Sequence, residues 1–132
     1  MVHGQCLCGS IEFSAQEIPG MVFNCHCNRC QKSHGAGYST QVVCDPSSLS
    51  FKKGKEHLKE YSVPTAVRAF CGNCGSRLMN YSNDKISYLS ISLSVVEEKS
   101  KMQPVGECYV GQRLEHTLLN ENIAHFNKIP EI

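Results

Sequence analysis

Hydrophobic positions in this chain come in short runs, and several of them alternate with polar ones. Ile11 and Phe13 alternate with Glu12 and Ser14, the two-residue period of a half-buried strand. Pro19-Gly20 predicts a turn, after which Met21-Val22-Phe23 forms a brief apolar run. Residues 38–44 are β-branched and aromatic in character and predict a strand, closed by an Asp45-Pro46-Ser47-Ser48 turn. Leu49-Ser50-Phe51 predicts a short strand and Lys52-Lys53-Gly54-Lys55 a charged turn. Residues 58–63 predict another strand, ended by Pro64, and residues 66–70 run into Cys71-Gly72-Asn73-Cys74-Gly75-Ser76. Ile86, Tyr88 and Leu89-Ser90-Ile91-Ser92-Leu93 predict a strongly alternating strand. Gln31-Lys32-Ser33-His34 predicts a helical turn stopped by Gly35 and Gly37, and residues 114–126 a strand end and a short helix before Pro130. Many short strands with Gly, Pro and Ser punctuation predict a mainly β fold. Neither a repeat nor a linker divides the chain, so a single domain over residues 1–132 is expected.

The net charge of +1 gives no basic stripe, so nucleic acid is not an expected partner. Without an apolar run of membrane-spanning length, or a basic segment and apolar stretch at the N-terminus, a cytoplasmic protein with no membrane partner is expected. The nine cysteines change the picture most. In a reducing compartment, clustered cysteines bind metal or carry chemistry more often than they form disulfides.

Cys6 and Cys8 form one chelating pair, and Cys71 and Cys74 another, each beside glycines that permit tight backbone geometry. An extended C-x-C would put Cys6 and Cys8 on one face. Together the pairs make the four-thiolate set of a structural zinc site, with an iron–sulfur cluster ranked below it. Cys25, Cys27 and Cys30 pack three thiols into C-x-C-x-x-C. Structural zinc is closed by four protein ligands, whereas catalytic zinc keeps a position open. Either His26, His34, Cys44 or Cys108 completes this second set, or it stays open for a ligand. His26 and His34 are candidates for moving a proton, and Arg29 and Lys32 for receiving a carboxylate. Cys44 and Cys108 otherwise read as packed thiols.

Gly4-x-Cys6-x-Cys8-Gly9, then Cys25-His26-Cys27-x-x-Cys30 with Gly35-Ala36, then Phe70-Cys71-Gly72-x-Cys74-Gly75-Ser76 resembles the glutathione-dependent formaldehyde-activating enzyme (GFA) family, whose domain also occurs in centromere protein V. The resemblance implies an Mss4-like fold of irregular antiparallel sheets organised around two zinc ions. It implies a structural ion on Cys6, Cys8, Cys71 and Cys74 and a catalytic ion on Cys25, Cys27 and Cys30. It further implies a carbon–sulfur lyase that adds glutathione, or a similar small thiol, to an aldehyde such as formaldehyde, giving S-hydroxymethylglutathione, or runs the reverse. Family members often carry a His shortly after the late Pro and a Trp beyond it. Here Glu107 and His116 stand near those places and Trp is absent. The alternative is a non-enzymatic zinc module that binds a protein or nucleic acid partner.

Overall fold

Among the described residues three strands form one sheet and eight form another. The structure, a computed structural model, describes residues 1–130. In chain order the elements are β1 (Val2–Gln5), β2 (Glu12–Ala15), β3 (Glu17–Cys25), α1 (Asn28–His34), β4 (Ser39–Cys44), β5 (Ser50–Lys53), β6 (Leu58–Val63), β7 (Ala66–Cys71), β8 (Arg77–Tyr81), β9 (Leu89–Ser92), β10 (Gly106–Cys108) and β11 (Ala124–Phe126). The small sheet has the order β1-β2-β5, the large one β11-β10-β3-β4-β9-β8-β7-β6. The fold is mainly β, as the alternation predicts.

Pairing is antiparallel except at one edge, where β10 runs parallel to both β3 and β11. The expected all-antiparallel arrangement is corrected there, because the long connection after β9 returns the chain in the same direction as β3. Alternating residues of the small sheet (Val2, Phe13, Ala15) join Val42, Val67, Leu78, Leu89 and Ile91 of the large one in a shared core. A smaller cluster of Phe23, Val43 and Cys108 lies toward the parallel edge.

Several local expectations change. Pro19-Gly20 lies inside β3, at a register irregularity between Glu17 and Val22, with Gly20 at φ 74°. A bulge tolerates the proline that a regular ladder would reject. Cys6-Leu7-Cys8 is a turn and not extended: Gly9 N–H donates to Cys6 O at 3.0 Å, with Gly9 at φ 77°. Lys52 and Lys53 belong to β5, and the charged turn is instead a 3-10 turn over Lys55–His57. The strand near residue 90 begins only at Leu89, since the Asp84 carboxylate accepts from Ile86 and Ser87 amides and folds the preceding segment into a loop. Residues 114–126 hold no helix, and their one regular element is β11. The helical turn starts earlier than expected, at Asn28, capped by Cys27 Sγ and closed by Gly35 in the left-handed conformation. No helix among the described residues is long and apolar enough to cross a membrane.

Candidate metal centres

The turn after β1 brings Cys6 and Cys8 against the end of β7 and the knuckle that leads to β8. The sulfurs of Cys6, Cys8, Cys71 and Cys74 all lie within 4.8 Å of one another. Cys6 and Cys8 are 3.6 Å apart, and Cys8 and Cys71 3.9 Å. A tetrahedron of thiolates around an ion at the usual zinc–sulfur distance of about 2.3 Å has edges of about 3.8 Å. The donor set and spacing fit a thiophilic divalent ion. Amides also converge on the sulfurs: Ile11 N–H donates to Cys6 at 3.3 Å, and Asn73 and Cys74 N–H to Cys71 at 3.4 and 3.5 Å. Hydrogen bonds from Ser10, with Asn73 adding, hold the Cys8 thiol down to about 5. Ser76 does the same for Cys74, at about 7. Burial pushes Cys6 the other way. Leu7 N–H donates to Ser76 Oγ at 2.8 Å, tying the two loops directly.

The second group sits where β3 ends and α1 begins. Cys25, Cys27 and Cys30 present three sulfurs within 4.8 Å of one another, and among the described residues no fourth His, Cys, Asp or Glu joins them. Helical geometry makes this possible: Cys27 caps α1 by accepting from Cys30 N–H at 3.3 Å, which folds Cys30 back toward the strand end. Hydrogen bonds from Cys25 and Cys27 hold the Cys30 thiol far below its ordinary value, with Ser39 and the Arg68 charge adding. The thiol of Cys25 is correspondingly pushed up by the bonds shared with Cys27 and Cys30 and by burial.

All three cysteines line a cleft of about 600 Å³ whose walls include Arg29, Gln41, Arg68, Tyr88 and Tyr109. Tyr109 takes φ 55°, a left-handed conformation rare for a residue with a side chain. Behind the cysteines, Asn24 near the end of β3 and His26 just beyond it both turn toward β10. Both donate to the buried Glu107 carboxylate of β10, Asn24 Nδ2 at 3.2 and 3.1 Å and His26 Nε2 at 2.9 Å. Thr40 Oγ1 donates to Asn24 Oδ1 at 2.7 Å, which fixes the orientation of that amide.

The family model described as glutathione-dependent formaldehyde-activating enzyme matches residues 1–112. The chain belongs to the GFA family. No curated protein matches it. It is similar to the crystal structure of a Rhodobacter sphaeroides protein, a structural-genomics target, with 18% identity and a TM-score of 0.61, over 93% of this chain and 98% of that one. That likeness bears on the fold alone.

Against this GFA framework the expected site residues divide. Cys25, Cys27 and Cys30 come together, as do Cys6, Cys8, Cys71 and Cys74. Arg29 stands on the cleft wall, its Nη1 donating to Thr65 Oγ1 at 3.0 Å. Lys32 is exposed and lies outside the cleft. His26 is fully buried, packed against Tyr38 with 4.9 Å between ring centres, and engaged by Glu107. His34 opens onto a separate cleft with Gly37, Thr40 and Lys99, and burial lowers its pKa. Cys44 and Cys108 are buried in the two apolar clusters. Residues that sequence reasoning passed over are Arg68, Tyr109 and the partnership of Glu107. A signal existed for two of them. Arg68 is a lone charge between Val67 and Ala69 in an apolar run, and Glu107 a lone carboxylate between Gly106 and Cys108.

Proposed function

We propose that this GFA-family protein is a cytoplasmic zinc enzyme that joins a small thiol, glutathione or one like it, to an aldehyde such as formaldehyde, or catalyses the reverse. The observation that carries this reading is the three-thiol group on a cleft wall with no fourth protein donor among the described residues. On the same reading the whole chain acts as a single domain, the four-cysteine group holds a structural zinc, and neither membrane nor nucleic acid is a partner. A zinc ion held by Cys25, Cys27 and Cys30 would supply a coordination position at which an incoming thiol is kept as thiolate.

The chain's own residues then do the rest. The cleft holds thiol and aldehyde side by side, which removes the entropic cost of their encounter. In the addition, a sulfur–carbon bond forms, the carbonyl π pair moves to oxygen, and the proton lost by the thiol ends on that oxygen. Tyr88 and Tyr109 line the cleft, and burial raises both hydroxyls, Tyr88 to about 12, so each stays a donor for the developing oxyanion. Arg29 is placed to receive a carboxylate of the thiol ligand, a role for which Lys32 is poorly sited. His26 serves by holding the cysteine strand, and proton movement at the cleft falls to the tyrosines and solvent.

The test uses cobalt-loaded protein. Glutathione should add a fourth thiolate's share to the sulfur-to-cobalt charge-transfer band, and Cys27→Ser should abolish the response. Exchange NMR with labelled formaldehyde and glutathione should show faster adduct formation with zinc-loaded protein than with buffer. A flat cobalt titration at millimolar thiol, with no rate change, would sink the enzyme reading in favour of a zinc module that binds a macromolecule.

A further inference from the structure

A buried guanidinium with no carboxylate partner stands beside the three-thiol group. Arg68, in the middle of β7, is 9% exposed. Among the described residues no Asp or Glu lies within ion-pair distance of it. Its Nε is buried and has no hydrogen-bond partner. Its Nη1 and Nη2 reach Cys30 Sγ at 3.9 and 3.8 Å, and its side chain forms part of the cleft wall. Arginine does not shed its proton in proteins, so this site carries a permanent positive charge. A buried charge persists in a fold only when an opposite charge or a set of hydrogen bonds meets it. Here the anion-forming group it touches is the Cys30 sulfur.

We propose that Arg68 is a specificity-determining residue that selects an anionic sulfur donor for the cleft. The proposal rests on the reading that Cys25, Cys27 and Cys30 hold a divalent ion. Three thiolates around such an ion leave a net charge of −1. A thiolate arriving from the cleft would then meet repulsion, and the complex would reach −2. With the Arg68 guanidinium alongside, the incoming anion meets a neutral assembly. A neutral donor such as imidazole gains nothing from that charge. An opposite charge within roughly 4–6 Å moves an ionisation equilibrium by about 1–3 pKa units, or about 10- to 1,000-fold, and anion binding at the same range responds similarly. The guanidinium N–H groups not spent on Cys30 would also suit a second anionic atom of the ligand, but the selection argued here acts on the sulfur itself.

The experiment titrates 2-mercaptoethanol and imidazole separately into cobalt-loaded wild type, Arg68→Met and Arg68→Lys, reading the cobalt spectrum. 2-Mercaptoethanol carries no carboxylate, so its response isolates the sulfur. Arg68→Met should weaken thiol binding at least tenfold and leave imidazole binding within about threefold, by the same charge argument. Arg68→Lys, which keeps the charge, should restore most of the thiol affinity. Arg68→Gln keeps a donor without the charge and carries the same test if Arg68→Met does not fold. Equal losses for thiol and imidazole would make Arg68 a packing residue and overturn the proposal. So would a loss confined to glutathione, with 2-mercaptoethanol unaffected, since that places the charge on a carboxylate. If wild type itself takes up no thiol, the enzyme reading fails and this proposal with it. If wild type and Arg68→Met bind thiol alike, only this proposal fails.

Discussion

Replacing Glu107 by alanine should cost the protein much of its stability and strip one metal before the other. The carboxylate is 2% exposed and its partners His26 and Asn24 are 0% and 9% exposed; Glu107 and Asn24 face each other in the ladder of β10 and β3, and His26 lies just beyond it. Truncation leaves the His26 Nε2–H and an Asn24 amide N–H buried without acceptors. Each such group costs about 1–3 kcal/mol, so the two together cost roughly 3–5 kcal/mol, against about 5–15 kcal/mol for a whole domain. For a chain of this length that is a fall in Tm of roughly 12–20 °C. Glu107→Gln keeps the volume, and its amide oxygen can still accept from both partners, but its NH₂ then faces the Asn24 Nδ2 donor, so about 1–3 kcal/mol is expected.

The effect should also be local. Asn24 and His26 alternate with Cys25 and Cys27, so a loosened Glu107 lets the ligand strand shift. Outer-shell partners of metal ligands are typically worth about 10- to 100-fold in metal affinity. Competition with a graded chelator, read alongside urea unfolding in metal-buffered solution, should show Glu107→Ala releasing the three-cysteine ion early and the four-cysteine ion as in wild type. Stability within 1 kcal/mol of wild type together with unchanged release of both ions would refute the reasoning.

Cys71→Ser should leave the protein unfolded or aggregated, because structural zinc is worth on the order of 10 kcal/mol in small domains; a cooperatively folded, metal-free variant by circular dichroism would count against this. Cys27→Ser should stay folded and lose one metal equivalent by elemental analysis, and wholesale unfolding there would make the central motif structural. Gly54→Ala should destabilise by about 3 kcal/mol or more in urea, since its Cβ would fall 1.8 Å from Ser10 O at φ +81°; a near-neutral result would contradict the backbone placement. The Tyr81 hydroxyl, then Lys85, hold the Glu60 carboxyl below its ordinary value of 4.5. Its stabilising effect is therefore present above that value and is lost as pH falls through the depressed one. Urea midpoints of wild type and Glu60→Gln should differ at pH 6 and converge on acidification; a gap that persists at pH 3 would place the effect elsewhere.

The sequence carried the two cysteine groups and most of the central strands because both leave local marks, chelating pairs in one case and alternation in the other. It did not carry β10, since Gly106-Glu107-Cys108 is too short to show a period and pairs in parallel with a strand far back in the chain. The Pro19-Gly20 bulge was hidden for a related reason: a proline and a glycine together read as a turn unless the partner strand is known to continue past them. Arg77–Tyr81 escaped because Arg77 and Asn80 interrupt its apolar positions, although Leu78 and Met79 are buried on opposite faces. His26 showed the opposite failure. Its place between two cysteines of the motif suggests chemistry, yet its ring is fully buried against Tyr38 and Glu107.

Backbone pairing explains why the two cysteine groups should respond differently to loss of a ligand. The four-cysteine group joins two loops, one after a strand of the small sheet and one between two strands of the large sheet. Between these loops the direct hydrogen bonds are few, chiefly Leu7 N–H to Ser76 Oγ and Asn73 Nδ2 to Cys8 Sγ. Without an ion, this end of the seam between the sheets is left to those bonds and the edge of the shared apolar core. The three-cysteine group grows instead from a strand already paired on both sides, Cys25 opposite Ser39 on β4 and Cys108 on β10. His26 N–H extends the second ladder to Cys108 O at 3.0 Å, and Glu107 clamps its far face. Backbone pairing and the buried polar clamp therefore hold those three sulfurs in position before any ion arrives. A site preorganised by its scaffold can change its ligand during a reaction without unfolding, whereas a site that ties two loops to each other is less free to do so. This is the physical ground for the proposal that one group serves stability and the other chemistry.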